Sequence, residues 1–146
     1  LETFKRVWGH DFKWFKKLIA KWGKSNRTIA EEIKSFAGCD LPEYHLIGNQ
    51  PEFYGYYADY DWVVFCWLFG SMMKLPKGFP MYCRDLKQIS DEIVMKRYEE
   101  MHGIGAKYFS LPPMKEWPNY PKQINEHNAL DDAKWNFELH KFIQAL

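Results

Sequence analysis

The chain has 146 residues, 47% of them hydrophobic and 18% aromatic, and a formal net charge of +1. That length and apolar content suit one packed domain and exclude a chain that is disordered throughout. The near-neutral total conceals a skew, because the first 36 residues hold nine Lys and Arg against four acids, leaving about +5 there and about −4 in the remainder. Such asymmetry suits a protein that draws a phosphate backbone to one edge and gathers acids elsewhere, and a solvated helix face accounts for the lysines equally well.

In chain order, residues 10–22 place Phe12, Phe15, Leu18, Ile19 and Trp22 at three- and four-residue steps between lysines, which predicts an amphipathic helix. Residues 26–36 predict a second helix, with Ile29, Ile33 and Phe36 on one face, Thr28 and Glu31 as its capping box and Gly38 as its stop. Residues 52–58, aromatic and following Pro51, read as a buried strand with a close backbone approach at Gly55. Residues 62–69 are apolar all round and end at Gly70, as a central helix would. A Pro- and Gly-bearing loop at 74–80 precedes a short strand at 81–83, a helix at 84–93 and further helix at 95–101, broken at Gly103 and Gly105. Pro112, Pro113, Pro118 and Pro121 make residues 110–122 a loop. The last helix, 129–146, aligns Trp135, Leu139, Phe142, Ile143 and Leu146, while Leu130, Ala133 and Phe137 oppose them, so its start is expected to be buried on two sides.

Cys39, Cys66 and Cys83 form no C-x-x-C pair and leave an odd count, pointing to a reducing compartment. No secretory signal is visible, and the run 62–69 is too short to span a bilayer. The expected location is the cytoplasm.

Two segments carry the chemistry. In YYADYDW, residues 56–62, Asp61 opens the apolar helix, so its carboxylate is expected beside a low-dielectric interior where a divalent cation is a suitable partner. On the residues alone, Asp59 as N-cap and Asp61 as a dipole-favoured first-turn acid is the simpler account, and it is the one the residues favour. In HNALDDA, residues 127–133, His127 precedes Asp132 by five positions. On a continuous helix five residues turn through roughly 500°, which holds the two side chains about 140° apart. They share a site only if His127 lies on the loop and the helix starts near Asn128. The plain alternative has Asn128 as cap and Asp131 and Asp132 as first-turn acids.

These segments resemble motifs two and three of the DEDDh exonucleases, the RNase T-like branch of the ribonuclease H-like superfamily. The longer string PEFYGYYADYDWVVFCWLFGSMMKLPKGFPMYCRDLKQ, residues 51–88, is similar to a small subfamily of 3′-to-5′ exoribonucleases of bacteria and phages. The resemblance implies an α/β, ribonuclease H-like exonuclease fold in a bacterial or phage-infected cell. It implies hydrolysis of 3′-terminal phosphodiester bonds of RNA to nucleoside 5′-monophosphates with two Mg²⁺ or Mn²⁺ ions. Asp61 and Asp132 fall on the metal-binding acids of motifs two and three, and His127, in H-x-x-x-x-D, on the general base. Tyr60, Trp62 and Arg84 stand where terminal bases, phosphate or ribose would be contacted, with core packing or an Arg84–Asp85 ion pair as the ordinary alternatives.

The family's first motif, an Asp-x-Glu on an opening strand, is not found on any strand predicted here. Leu1, Glu2 and Thr3 are its tail on one reading; on the preferred one, the chain begins downstream of it as an N-terminally incomplete exonuclease domain. The first three strands of the family's five-stranded sheet are then expected from upstream residues or another polypeptide, since two strands with an open edge make a poor core. RNA 3′ ends are the expected partner, and a homodimer follows by analogy. A DNA 3′-to-5′ exonuclease, or a nucleic-acid-binding fragment that does not cut, are the alternatives.

Overall fold

The computed structural model describes residues 12–45, 50–103 and 112–146. Leu1 to Thr3, the start of the first predicted helix, the break at Gly105 and the start of the loop at 110 lie outside them. The architecture is mixed α/β, mostly helical, with a two-stranded parallel sheet. Among the described residues no helix is long and apolar enough to cross a membrane. The chain divides into two compact units, the first comprising Leu1–Glu52 and Val63–Met81, the second Phe53–Trp62 and Tyr82–Leu146.

In the first unit, α1 (Phe12–Trp22) and α2 (Asn26–Phe36) follow the expected periodicity. α2 is capped by Ser25, whose Oγ accepts from the Thr28 N–H at 3.1 Å, so the capping box starts three residues earlier than the Thr28 reading placed it. Gly38 does close the helix, at φ 74°. Trp14, Leu18, Ile19 and Trp22 of α1 are exposed, with Lys21 lying over the Trp22 ring. The packed part of this unit gathers Phe65 and Phe69 against buried Phe79, with centroids 5.5 to 6.4 Å apart. Gly78, at φ 94°, lets the backbone pass the Tyr44 ring, which an added Cβ would meet at 3.1 Å.

The second unit is built on β1 (Tyr54–Gly55) and β2 (Arg84–Asp85), paired in parallel with Tyr54 opposite Arg84 and Gly55 opposite Asp85. Helix α3 (Asp59–Leu68) leaves β1, and only its first turn belongs to this unit. α4 (Leu86–His102) follows β2 directly, and α5 (Ala129–Gln144) packs on β1 and α4. Leu86, Trp135 and Leu139 form the core, walled by Tyr54, Tyr56, Tyr120, Phe142 and Ile143. Rings meet edge to face here, with Tyr56 and Tyr120 at 5.0 and 6.4 Å from Trp135.

Several boundaries move for identifiable reasons. The strand expected over 52–58 shrinks to two residues because Tyr57 takes φ 55° and the N–H groups of Tyr57 and Ala58 turn to the Asp85 carboxylate. α3 begins three residues earlier than its apolar run, with the Trp62 N–H donating to the Ala58 carbonyl, so Asp59 sits inside the first turn instead of capping it. The strand expected at 81–83 lies at Arg84–Asp85, and the two helical stretches after it are one helix, since no Gly or Pro separates them. α5 buries one side only, for Leu130 and Phe137 are 63% and 61% exposed.

Candidate functional site

Asp61 lies in the first turn of α3 and is exposed, contrary to the expectation of an apolar shelter. The reason is visible in the turn that follows, where Val63, Val64 and Trp67 are themselves open to solvent, Trp67 at 62%. Its neighbour Tyr60 is 85% exposed, a free ring beside the acid. Trp62 is half-buried and packs on Phe53 at 5.3 Å, which is the packing alternative. Arg84 is exposed, with its guanidinium 5.9 Å from the centre of the Tyr54 ring, and the Tyr54 ring in turn meets the His140 ring at 4.1 Å with a tilt of 42°. The Asp85 carboxylate is engaged by four backbone N–H groups, at Tyr57, Ala58, Lys87 and Gln88.

That use of Asp85 is the principal site feature the sequence reading missed. Asp85 caps α4 and at the same time grips the turn that delivers Asp59 and Asp61, so one buried carboxylate fixes the approach to the candidate ligand. The signal was present as Asp85 three residues before Gln88, a capping pattern hidden by starting the helix at Arg84. These acids also act on the half-buried Cys83 thiol. Burial, then the charges of Asp85, Asp61 and Asp59, push its pKa up to about 11.

At the second segment the helix starts at Ala129 with Asn128 as cap, its Oδ1 accepting from the Leu130 and Asp131 N–H groups at 3.1 and 3.2 Å. His127 therefore lies outside the helix, at φ 72°, and its imidazole is exposed. This backbone arrangement is the one a shared His127 and Asp132 site depends on, and it equally matches the plain alternative of an Asn128 cap followed by two first-turn acids. Asp132 is half-buried in the first turn, and its Oδ1 accepts from Gln123 Nε2 at 2.7 Å. Asp131 is occupied otherwise, by Asn125 Nδ2 at 3.1 Å and the Lys134 ammonium at 3.7 Å. The Gln123 contact had no signature in the sequence, since it reaches across the irregular chain that precedes α5.

Asp61 and Asp132 thus occupy the first turns of two helices that start in one unit, with positive helix ends behind both carboxylates. No hydrogen bond or ion pair joins either to the other or to His127 among the described residues. Nor do three or more His, Cys, Asp or Glu side chains among those residues come together as a metal-holding group. No protein family, curated protein or solved structure matches the chain.

Proposed function

We propose that the chain acts as a ribonuclease H-like 3′-to-5′ exoribonuclease of the DEDDh type, with Asp61 and Asp132 as metal ligands and His127 as proton acceptor. The observation that carries this reading is the break at Asn128, which puts His127 on the loop and Asp132 in the first turn of α5. The turn that places the histidine is built from two left-handed residues, Asn125 and His127, a conformation that Asn and His adopt more readily than most residues with a Cβ. The parallel β1 and β2, with a helix between them that carries Asp61 in its first turn, also agree with this fold class.

The donor atoms suit hard cations. Asp61 and Asp132 offer anionic oxygens on accessible helix starts, as Mg²⁺ and Mn²⁺ prefer, with water and further acids needed to complete the coordination. When bound, such ions supply Lewis-acid stabilisation of the charge that develops during phosphodiester hydrolysis. Gln123 orients Asp132 through its amide. His127, unencumbered by hydrogen bonds among the described residues, takes the proton of the attacking water. Tyr60 offers an exposed face on which a terminal base stacks.

The test is incubation of 5′-labelled single-stranded RNA with Mg²⁺ or Mn²⁺ and chromatography of the products. Stepwise shortening with release of nucleoside 5′-monophosphates is expected, arrested by chelator and lowered by at least about 10²-fold in Asp61→Asn, Asp132→Asn and His127→Ala. Undiminished digestion by Asp61→Asn or Asp132→Asn removes the site. Faster loss of a matched DNA strand replaces the ribonuclease with a deoxyribonuclease. Binding without any cutting leaves the non-catalytic reading.

A further inference from the structure

The proline-rich loop contributes to a second feature of the second unit that the two motifs do not account for. A cleft of about 670 Å³ runs along it, with Lys115, Trp117, Tyr120 and Lys122 from the loop facing Tyr56 and Trp135. It continues into a smaller cleft of about 230 Å³ that shares Tyr56, Lys115 and Tyr120 and ends at Lys87 and Ser90. Tyr56 follows β1 and Lys87 follows β2, so the floor lies past the carboxyl ends of the parallel strands, where open α/β sheets take their ligands.

The walls are held rigidly. Trp135 Nε1 donates to the Pro121 carbonyl at 3.0 Å, tying the loop to α5. The Trp117 ring carries the Arg97 guanidinium 4.6 Å from its centre. Pro113, Pro118 and Pro121 fix φ along the loop, which reduces the ordering cost of binding. The charges are asymmetric in a useful way. Lys87 is paired with Asp91, and the larger cleft has Glu126 as its lining acid. Lys115 and Lys122 form neither ion pair nor hydrogen bond among the described residues, and both are exposed.

We infer that this lysine-flanked aromatic cleft is the track for single-stranded nucleic acid, with bases against the Trp117 and Tyr120 rings and phosphates on Lys115 and Lys122. Repeated flat rings between uncommitted cations match a polymer that alternates bases and phosphates. The direction of the track rests on the nuclease reading, for Gln123 lines the cleft and donates to Asp132, so a strand lying there leads its end towards that acid.

The experiment uses the full chain in EDTA, where no metal-dependent cutting occurs, and follows the anisotropy of a 5′-fluorescein oligouridylate over a salt series. The Lys115→Gln/Lys122→Gln double variant is expected to bind about tenfold more weakly, with the log–log salt slope reduced by about 1.4, the figure for two single-strand phosphate contacts. Trp117→Ala is expected to lose about tenfold with little change of slope. Far-ultraviolet circular dichroism checks folding, and the exposed lysine pair carries the test if the tryptophan variant unfolds. Unchanged binding by the double variant, or an oligouridylate bound no tighter than inorganic polyphosphate, overturns the track. Cutting assays of the parent and of the lysine variant with Mn²⁺ separate the two proposals. RNA bound at the lysines but never cut with Mn²⁺ sinks the hydrolytic reading alone, whereas RNA bound and cut normally by the lysine variant sinks the track alone.

Discussion

His127 has a left-handed backbone, which a residue with a Cβ adopts at a penalty, and an exposed ring that makes no compensating hydrogen bond among the described residues. Replacement by glycine is therefore expected to raise stability by up to about 1 kcal/mol in urea titrations, because glycine takes positive φ freely. If the proposed nuclease reading holds, the same variant loses RNA hydrolysis by about 10²-fold or more, and a stable variant that hydrolyses RNA at the parent rate would remove the base role from His127. Cys83 offers a pH-dependent readout. Its thiol is raised to about 11 from a usual value near 9 by burial and the acids around it, so the unfolded chain ionises first. Tyr120, pushed up to about 12 by burial, acts in the same direction. The stability they contribute is complete below about pH 9 and is lost as pH rises through about 11 to 12. Denaturant midpoints falling over that window, with a smaller fall in Cys83→Ser, are expected, and alkylation of Cys83 near pH 8 should be slow.

At the level of the elements, two caps decide where the candidate ligands stand. Asp85→Ala removes the cap of α4 and leaves the Tyr57 and Ala58 N–H groups without their acceptor. A loss of about 2–4 kcal/mol is expected, the sum of a cap and of buried hydrogen bonds, measured by urea denaturation. Asn128→Ala frees the first turn of α5 at a smaller cost of about 1 kcal/mol, because that turn is exposed. Its larger effect is expected on activity, since Asp132 rides on the same turn; a variant that loses stability but no activity would show that the turn keeps its place without the cap.

For the molecule as a whole, the unusual property is an apolar helix that is open to solvent. Tyr60, Val63, Val64 and Trp67 are exposed at three- and four-residue steps along α3, and the parallel sheet has only two strands among the described residues. Val64→Lys/Trp67→Lys is expected to leave the thermal midpoint within about 2 °C, as surface changes do, while clearly lowering binding of an apolar dye. A collapse of the fold would mean that the stripe is buried in solution.

Periodicity alone located α1, α2 and α5, because a repeat near 3.6 residues is written directly in where Ile29, Ile33, Trp135 and Leu139 fall. The cap at Asn128 was legible as one of two readings, since an amide side chain satisfies free N–H groups by local geometry, while the loop position of His127 stayed conditional until the structure set it. What periodicity could not fix were features made by residues distant in sequence. The short β1 depends on Asp85 reaching back 27 and 28 residues to Ala58 and Tyr57, and the exposure of Asp61 on which face of α3 meets other chain. A carboxylate's partners and a helix's buried side are chosen by chain brought near in space, and only the tertiary structure holds that information.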